Sequence, residues 1–166
     1  EETAVKSRKI ILPDGGSIEI KGAIDRVDVY ENGGKKYVRV VDYKSGRKDF
    51  RLSDIIYGLN LQMFIYLFTL ADSESEYSGI SSGVLYMHSS RSYLSLERGA
   101  TDDKIKSEEN SSFCMKGVVL NDEENTVAEH MERELEGKYI PVKYVKKTGS
   151  LKGNIVTLEE LGKIAR

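Results

Sequence analysis

Three charged residues follow short apolar runs in the sequence between positions 22 and 46. Asp25 comes directly after Ala23-Ile24, and Asp42 and Lys44 come after Val40-Val41. Two carboxylates suit a hard cation such as Mg²⁺, which prefers oxygen ligands and lowers the pKa of a bound water. A nearby lysine can stabilise developing negative charge. The pattern suits metal-assisted hydrolysis of a phosphodiester, although a structural salt bridge on a half-exposed sheet explains the spacing about equally well.

The same segment is predicted to form a β-hairpin with its turn in the sequence ENGG. If Asn32-Gly33 is the two-residue turn, Asp25 lies opposite Val40 and diagonal to Asp42, at about 7 Å between Cα atoms. If Gly33-Gly34 is the turn, Asp25 lies opposite Asp42 itself. Because side chains alternate along a strand, either even-length loop puts both acids and the lysine on one face. Apolar residues on both faces predict a hairpin that is central and covered on both sides.

The remaining pattern predicts a mixed α/β or α+β layer protein. A turn at residues 13–16 precedes a long strand that starts at Ser17. A buried helix, capped by Ser53 or Asp54, is expected to run to about Asp72. We further expect strands at 80–88, near 93–96, at 117–120 and at 141–147, a charged helix over 122–136, a mobile basic loop at 146–154 and a last helix capped by Thr157.

Length and composition indicate one globular domain. The chain has 166 residues, of which 39% are apolar and 31% charged, and its net charge is −2. Any basic, nucleic-acid-binding surface must therefore be local. No apolar stretch is long enough to predict a membrane span. The single cysteine, Cys114, excludes a disulfide or a cysteine-built metal site within this chain and fits a reducing, cytoplasmic setting.

Three motifs in order resemble the RecB-type branch of the PD-(D/E)XK nucleases. They are GAIDRVD at 22–28, VVDYKSG at 40–46 and QMFIY at 62–66. The segments LPDGG, GVLYMH and KGVVLND make the chain more similar to the nuclease domain of the AddB family of helicase–nuclease proteins. The resemblance implies a restriction-endonuclease-like core, in which helices flank a mixed central sheet. We expect a single domain over 1–166, with its core at 11–88 and a helical and irregular tail at 89–166.

The resemblance also implies roles for residues of the first two strands. Asp25 and Asp42 would bind Mg²⁺ or Mn²⁺, with the main-chain carbonyl of Tyr43 as a third ligand. Lys44 would be the catalytic lysine. Arg26 and Asp28 lie on the opposite face of the hairpin and are expected to form a structural ion pair.

Four other residues are candidates for contact with DNA. Gln62 and Tyr66, one helical turn apart, are implied to bind DNA or to brace the active site. Buried-helix packing is the alternative for Tyr66, whereas an amide in so apolar a helix needs a partner. Arg47 and Lys48 follow the active-site strand and are candidates for phosphate contacts, although a solvated turn explains them about as well.

Two features of the family are missing from the sequence. These are an upstream helix with an additional Glu or His ligand, and the cysteines of an iron–sulfur cluster. We therefore expect a fragment, truncated at both ends, with weak or no activity by itself, and an iron–sulfur cluster only in the parent. The parent would cut single strands of DNA unwound by an AddA-like helicase partner in double-strand-break repair and recombination. The alternatives are a stand-alone or CRISPR-associated RecB-like exonuclease, and an inactive DNA-binding or scaffold domain.

Overall fold

The computed structural model of the chain describes residues 8–46, 50–57, 60–71, 75–89, 96–121 and 126–164. The strands are β1 (Arg8–Ile11), β2 (Ser17–Ile20), β3 (Arg26–Asn32), β4 (Lys35–Lys44), β5 (Ile80–His88), β6 (Lys116–Leu120), β7 (Val142–Val145), β8 (Ser150–Gly153) and β9 (Ile155–Val156). The helices are α1 (Leu52–Ile56), α2 (Gln62–Ala71), α3 (Asp102–Phe113), α4 (Thr126–Met131) and α5 (Leu158–Ile164). Among these residues, no helix is both long and apolar enough to cross a membrane.

A mixed sheet with the order β3-β4-β5-β6-β9 is the centre of the fold. β3 with β4 and β5 with β6 pair antiparallel, whereas β4 with β5 and β6 with β9 pair parallel. α2 packs against β4 and β5, and α4 packs against β6. The predicted architecture, a mixed central sheet flanked by helices, is confirmed. β6 and β9 come from residues after 88, so the sheet extends beyond the segment 11–88 that the sequence indicated as the core.

The hydrophobic core is centred on β4, which is buried on both faces. Val38 and Val40 lie on one face and Val41 on the other, and all three are buried. They belong to one cluster with buried side chains of α2, β5 and β6, including Phe64, Leu67, Leu70, Val84, Leu85, Val118 and Val119. β3 is the edge strand, and its Val29 is 40% exposed. The prediction that the hairpin is central in the sheet is therefore right for β4 and wrong for β3, which has a partner strand on one side only.

Two predicted elements of the first half of the chain are each divided in the structure. The long strand from Ser17 ends at Ile20, because β2 pairs with β1 in a separate two-stranded sheet. The helix over 54–72 is two helices, and Asn60 between them has a φ of 60°, which an α-helix does not accommodate. Neither Ser53 nor Asp54 caps α1, whose N-cap is Arg51 without a side-chain hydrogen bond.

The second half contains one helix that the pattern does not predict. α3 buries none of its residues, and its sequence lacks the apolar periodicity that indicates an amphipathic helix. The predicted helix over 122–136 is confined to α4, and the predicted basic loop contains β8. The predicted short strand near 93–96 lies largely outside the described residues. The capping box at Thr157 is confirmed, because Glu160 N donates to Thr157 Oγ1 at 3.2 Å and Thr157 N to Glu160 Oε2 at 2.7 Å.

Candidate active site

The hairpin turn sets which side chains face each other across β3 and β4. Asn32 pairs with Lys35, so the turn residues are Gly33 and Gly34, with φ values of 56° and 76°. Two consecutive positive φ angles are typical of a type I′ turn, which matches the twist of the strands it joins. The turn at Asn32-Gly33 is therefore wrong, and the Gly33-Gly34 alternative is the observed one.

This turn brings the two acids to the same end of the hairpin. The paired register ends at Arg26 opposite Val41, and Asp25 is the residue before β3. A continuation of this register by one step would put Asp25 opposite Asp42 on the same face. Asp25 Oδ2 accepts a hydrogen bond from Tyr43 N at 2.9 Å, so its carboxylate lies against the end of β4. Asp25 is exposed, whereas Asp42 is half-buried. The pair lies at the edge of the sheet, on the side of β3.

Asp42 and Lys44 form the closest charged contact of the site. Lys44 Nζ lies 2.6 Å from Asp42 Oδ2, and the two side chains are 39% and 18% exposed. Asp42 Oδ2 is nevertheless a buried atom with no hydrogen-bond partner among the described residues, so the short contact is an ion pair without hydrogen-bond alignment. A carboxylate oxygen in this state is undersolvated and retains unused capacity to bind a cation.

Two residues beside Asp42 were not singled out from the sequence. The parallel register of β4 and β5 puts Tyr86 next to Asp42, and the antiparallel register of β5 and β6 puts Lys116 next to Tyr86. Burial, together with the charge of Asp42, raises the pKa of Tyr86 to about 12. Its hydroxyl therefore stays protonated beside the acid. The strand pattern of GVLYMH is the only signal in the sequence for Tyr86. Its position beside Asp42 depends on the register of β4 and β5, which includes a bulge that the sequence does not reveal.

Helix α2 brings the third motif against the first. Gln62 Nε2 donates to Tyr66 Oη at 2.8 Å across one helical turn. A Cβ added to Gly22 would overlap Oη, Cε1 and Cζ of Tyr66, so the ring of Tyr66 occupies the space beside this glycine. Gln62 is exposed, which corrects the expectation of a buried amide, and its partner is Tyr66. Tyr66 is half-buried against the core cluster.

Arg47 and Lys48 lie outside the described residues. The described part of the chain resumes at Phe50, after Ser45 and Gly46 end the strand segment. Their contact with DNA stays a prediction.

The opposite face of the hairpin contains a separate charged cluster. Asp28 Oδ1 accepts from Arg26 Nε at 2.7 Å, and Asp28 Oδ2 accepts from Arg39 Nε at 2.7 Å. Burial alone would raise the pKa of Asp28, but these hydrogen bonds outweigh it and lower the pKa. The bond to Asp28, with a weaker one to Tyr43, raises the pKa of Arg26. The predicted ion pair of Arg26 and Asp28 is present, with Arg39 as an additional partner.

A cavity lies on this opposite face. It measures about 420 Å³ and is lined in part by Arg39, Tyr30, Ser82 and His130. The Nε2 of His130 lies 2.7 Å from Tyr30 Oη. The cavity lies across the sheet from Asp42 and Lys44, so it is separate from their site.

The donor set can be compared with the needs of a divalent cation. Within the described residues, no three His, Cys, Asp or Glu side chains converge as a metal cluster. Asp25 nevertheless accepts a hydrogen bond from Tyr43 N, the residue after Asp42, and the buried Oδ2 of Asp42 lacks a hydrogen bond. Two carboxylates and a main-chain carbonyl suit Mg²⁺, which keeps several of its waters. The residues present fit such an ion, with fewer protein ligands than a tight site has.

Comparison with known proteins assigns the chain to a family. A family profile of the PD-(D/E)XK nuclease superfamily matches residues 1–146. The chain belongs to the PD-(D/E)XK nuclease superfamily. Nucleases of this superfamily typically use divalent metal ions.

Curated relatives are named as one of the subunits of an ATP-dependent helicase/deoxyribonuclease. The protein of Clostridium acetobutylicum is 37% identical over 144 residues, which are 84% of this chain and 12% of that protein. The protein of Clostridium novyi is 37% identical over 163 residues, or 95% of this chain and 14% of that protein. A Thermoanaerobacter protein is 36% identical over 146 residues, or 86% of this chain and 12% of that protein. The chain thus spans 12–14% of the length of these relatives.

Proposed function

We propose that this chain contains the site that hydrolyses phosphodiester bonds in DNA with a divalent cation, Mg²⁺ or Mn²⁺, bound at the end of β4, and that it has weak or no activity by itself. The observation that carries the proposal is the proximity of Asp25 to Tyr43 N, beside the contact of Asp42 with Lys44, with a buried Asp42 oxygen that accepts no hydrogen bond among the described residues. Membership of the nuclease superfamily supports the class of reaction. The names of the relatives support DNA as the substrate.

Each residue of the site has a distinct role in this proposal. Asp25, Asp42 and the main-chain carbonyl of Tyr43 would hold the cation, which supplies Lewis acidity and an acidified water when bound. Lys44 is the catalytic lysine, and its partly exposed ammonium can reach a phosphate and stabilise the charge that develops there. Tyr86 keeps its proton and adds no negative charge beside Asp42.

The substrate strand would meet the third motif and the segment after β4. The exposed amide of Gln62 can contact DNA, and Tyr66 holds it through the 2.8 Å hydrogen bond. Arg47 and Lys48 are proposed to contact phosphates, which bind basic side chains without regard to sequence. These contacts would orient the strand across Asp25, Asp42 and Lys44.

We further propose that the domain acts within a helicase–nuclease of the AddAB type. An AddA-like helicase would supply single strands from unwound duplex, and the enzyme would serve double-strand-break repair and recombination. The names of the relatives, which combine helicase and deoxyribonuclease, support this role. The single cysteine of this chain, Cys114, cannot build an iron–sulfur cluster by itself.

Cleavage of end-labelled single-stranded DNA by the full-length protein, with Mg²⁺ and with EDTA, tests the proposal. Lys44→Ala is expected to lower the cleavage rate by about 10²–10³-fold, because it removes a donor aimed at developing charge. Lys35→Ala, at the other end of β4, is the matched control and should leave the rate unchanged.

Binding of Mn²⁺, followed by electron paramagnetic resonance, gives a readout that does not depend on turnover. Asp42→Asn is expected to abolish Mn²⁺ binding. Cleavage that persists unchanged in Lys44→Ala and Asp42→Asn would overturn the proposal. So would the absence of both cleavage and Mn²⁺ binding in the unmodified full-length protein.

A further inference from the structure

The loop between α4 and β7 is organised around one buried carboxylate. Glu132 Oε1 accepts from the backbone N–H groups of Glu136 at 3.0 Å and Lys138 at 2.9 Å. Its Oε2 accepts from those of Tyr139 at 2.9 Å and Ile140 at 3.1 Å. Burial alone would raise the pKa of Glu132, but these four bonds outweigh it and lower the pKa. The ionised carboxylate fixes the backbone that presents Lys138 and Tyr139.

The loop presents an exposed aromatic ring with a cation above it. Tyr139 is 48% exposed, and Lys138 Nζ lies 5.0 Å from the centroid of its ring. Tyr139 O accepts from Met115 N at 2.9 Å, which joins the loop to the residue preceding β6. The ring therefore lies beside the start of β6.

The start of β6 belongs to the same end of the sheet as the candidate active site. Asp42, Tyr86 and Lys116 are laterally paired on β4, β5 and β6. Neighbouring strands lie about 4.8 Å apart, so Lys116 is about 10 Å from Asp42 across the sheet. The row continues from Lys116 to the loop that carries Tyr139.

The β7–β8 hairpin extends this row with lysines that no acid offsets. Lys143 and Lys152 are directly opposite and exposed, an arrangement of like charges that destabilises a strand pair. A Cβ added to Gly137 would lie 3.5 Å from the Cβ of Lys143, so Lys143 adjoins the loop.

The charge of this segment differs from that of the whole chain. Residues 137–153 contain five lysines and no acidic residue, whereas the net charge of the whole chain is −2. In the part of the chain that the structure describes, none of the five forms an ion pair.

We propose that a single strand of DNA lies along a lysine–tyrosine surface formed by Lys116, Lys138, Tyr139, Lys143 and Lys152. The inference deepens the proposed function and rests on it for the identity of the polyanion. Unpaired cations attract a phosphate backbone, and an exposed ring gives an unpaired base a surface on which to stack. A single strand supplies both groups together, which a duplex with paired bases or an acidic peptide does not. The surface leads a strand from β7–β8 across β6 and β5 to Asp42.

Fluorescence anisotropy with a labelled oligothymidylate in EDTA measures this contact without cleavage. The double substitution Lys143→Gln/Lys152→Gln is expected to weaken binding about 10-fold or more at low salt. It should also reduce the slope of log K against log salt by about 1.4, because each lost phosphate contact with a single strand removes about 0.7. Lys35→Gln/Lys163→Gln removes the same charge from β4 and α5 and should leave the slope unchanged.

A second variant separates stacking from charge. Tyr139→Leu is expected to lower single-strand affinity about 5-fold or more with an unchanged salt slope, because it removes a stacking platform and no charge. An unchanged affinity in both the lysine and the Tyr139 variants would overturn the surface. If the variants lose affinity only for duplex DNA, the single strand is the wrong occupant of the surface. The same conclusion would follow if polyglutamate competed with the labelled oligothymidylate and this competition alone were lost in the variants.

Failure of this surface is distinguishable from failure of the proposed function. If the lysine variant binds DNA normally while Lys44→Ala stops cleavage, the surface is wrong and the nuclease stands. If the lysine variant loses DNA while cleavage is indifferent to Lys44→Ala, the surface stands and the catalytic assignment is wrong.

Discussion

Asp28 and Asp42 lie on opposite faces of the same strand pair and have different surroundings. Asp28 accepts hydrogen bonds from Arg26 and Arg39 on its two oxygens. Asp42 has one short contact, with Lys44, and its buried Oδ2 accepts no hydrogen bond among the described residues. The satisfied carboxylate stabilises the fold, whereas the unsatisfied one remains available to a ligand. Hydrogen-bond satisfaction, more than burial, separates the structural acid from the candidate catalytic one.

The largest expected difference between the two faces is in catalysis. Asp42→Asn should lower the rate of DNA cleavage by at least about 10²-fold, because a held cation contributes several kcal/mol of charge stabilisation. Asp28→Asn, the same substitution on the other face, should change the rate by less than about threefold where the protein is folded. The cleavage assay with Mg²⁺ checks both, and equal losses would erase the distinction.

Thermodynamic stability should show the reverse order. Asp28→Asn is expected to lower the free energy of unfolding by about 2–3 kcal/mol. This is less than for a fully buried pair, because Asp28 is partly exposed, but it leaves Arg39 without its counter-charge. Asp42→Asn should be neutral or slightly stabilising, since it removes a poorly solvated charge. Urea denaturation of both variants decides, and a more stable Asp28→Asn would contradict the structural role.

The contribution of Asp28 to stability should also depend on pH. Its pKa is lowered in the folded chain, so its contribution is present above the ordinary carboxyl value and is lost as the pH falls through the folded pKa. From about pH 5 to about pH 2, the unmodified chain should lose stability more steeply than Asp28→Asn. Denaturation at several pH values measures the difference between the two curves. Glu132 contributes in the same direction to both curves, so parallel curves would show that Asp28 is not responsible.

The smallest expected effect concerns the contact that brings the motifs together. Gly22→Ala should cost about 1–2 kcal/mol, because the new Cβ overlaps Tyr66 and must displace its ring. Gly46→Ala is the control, since a Cβ there meets no atom within 4 Å. Adding Tyr66→Phe to Gly22→Ala removes the closest overlapping atom and should recover part of the loss in urea denaturation. A loss equal to that of Gly46→Ala would show that the contact is unimportant.

The sequence predicts the shared face of Asp25, Asp42 and Lys44 because that inference needs only a turn of even length. It does not choose between Asn32-Gly33 and Gly33-Gly34, since asparagine and glycine both accept positive φ. The sequence does not predict that Tyr86 lies beside Asp42. The register of β4 and β5 is set by packing across two intervening helices and by a shift between Val38 and Arg39. The exposure of Gln62 depends on the interruption at Asn60, which a count of apolar residues does not detect.

The turn at Gly33-Gly34 also has a consequence for the order in which the site is assembled. β3 and β4 are joined by two residues, so they can pair early, whereas β4 and β5 meet only after the intervening helices are in place. We expect the two acids to be neighbours in the folding chain before β5 pairs with β4. Pulsed hydrogen exchange during refolding should then protect Tyr43 N, which donates to Asp25, before the amides of β5. Simultaneous protection would show instead that the acids approach each other only as the whole sheet forms.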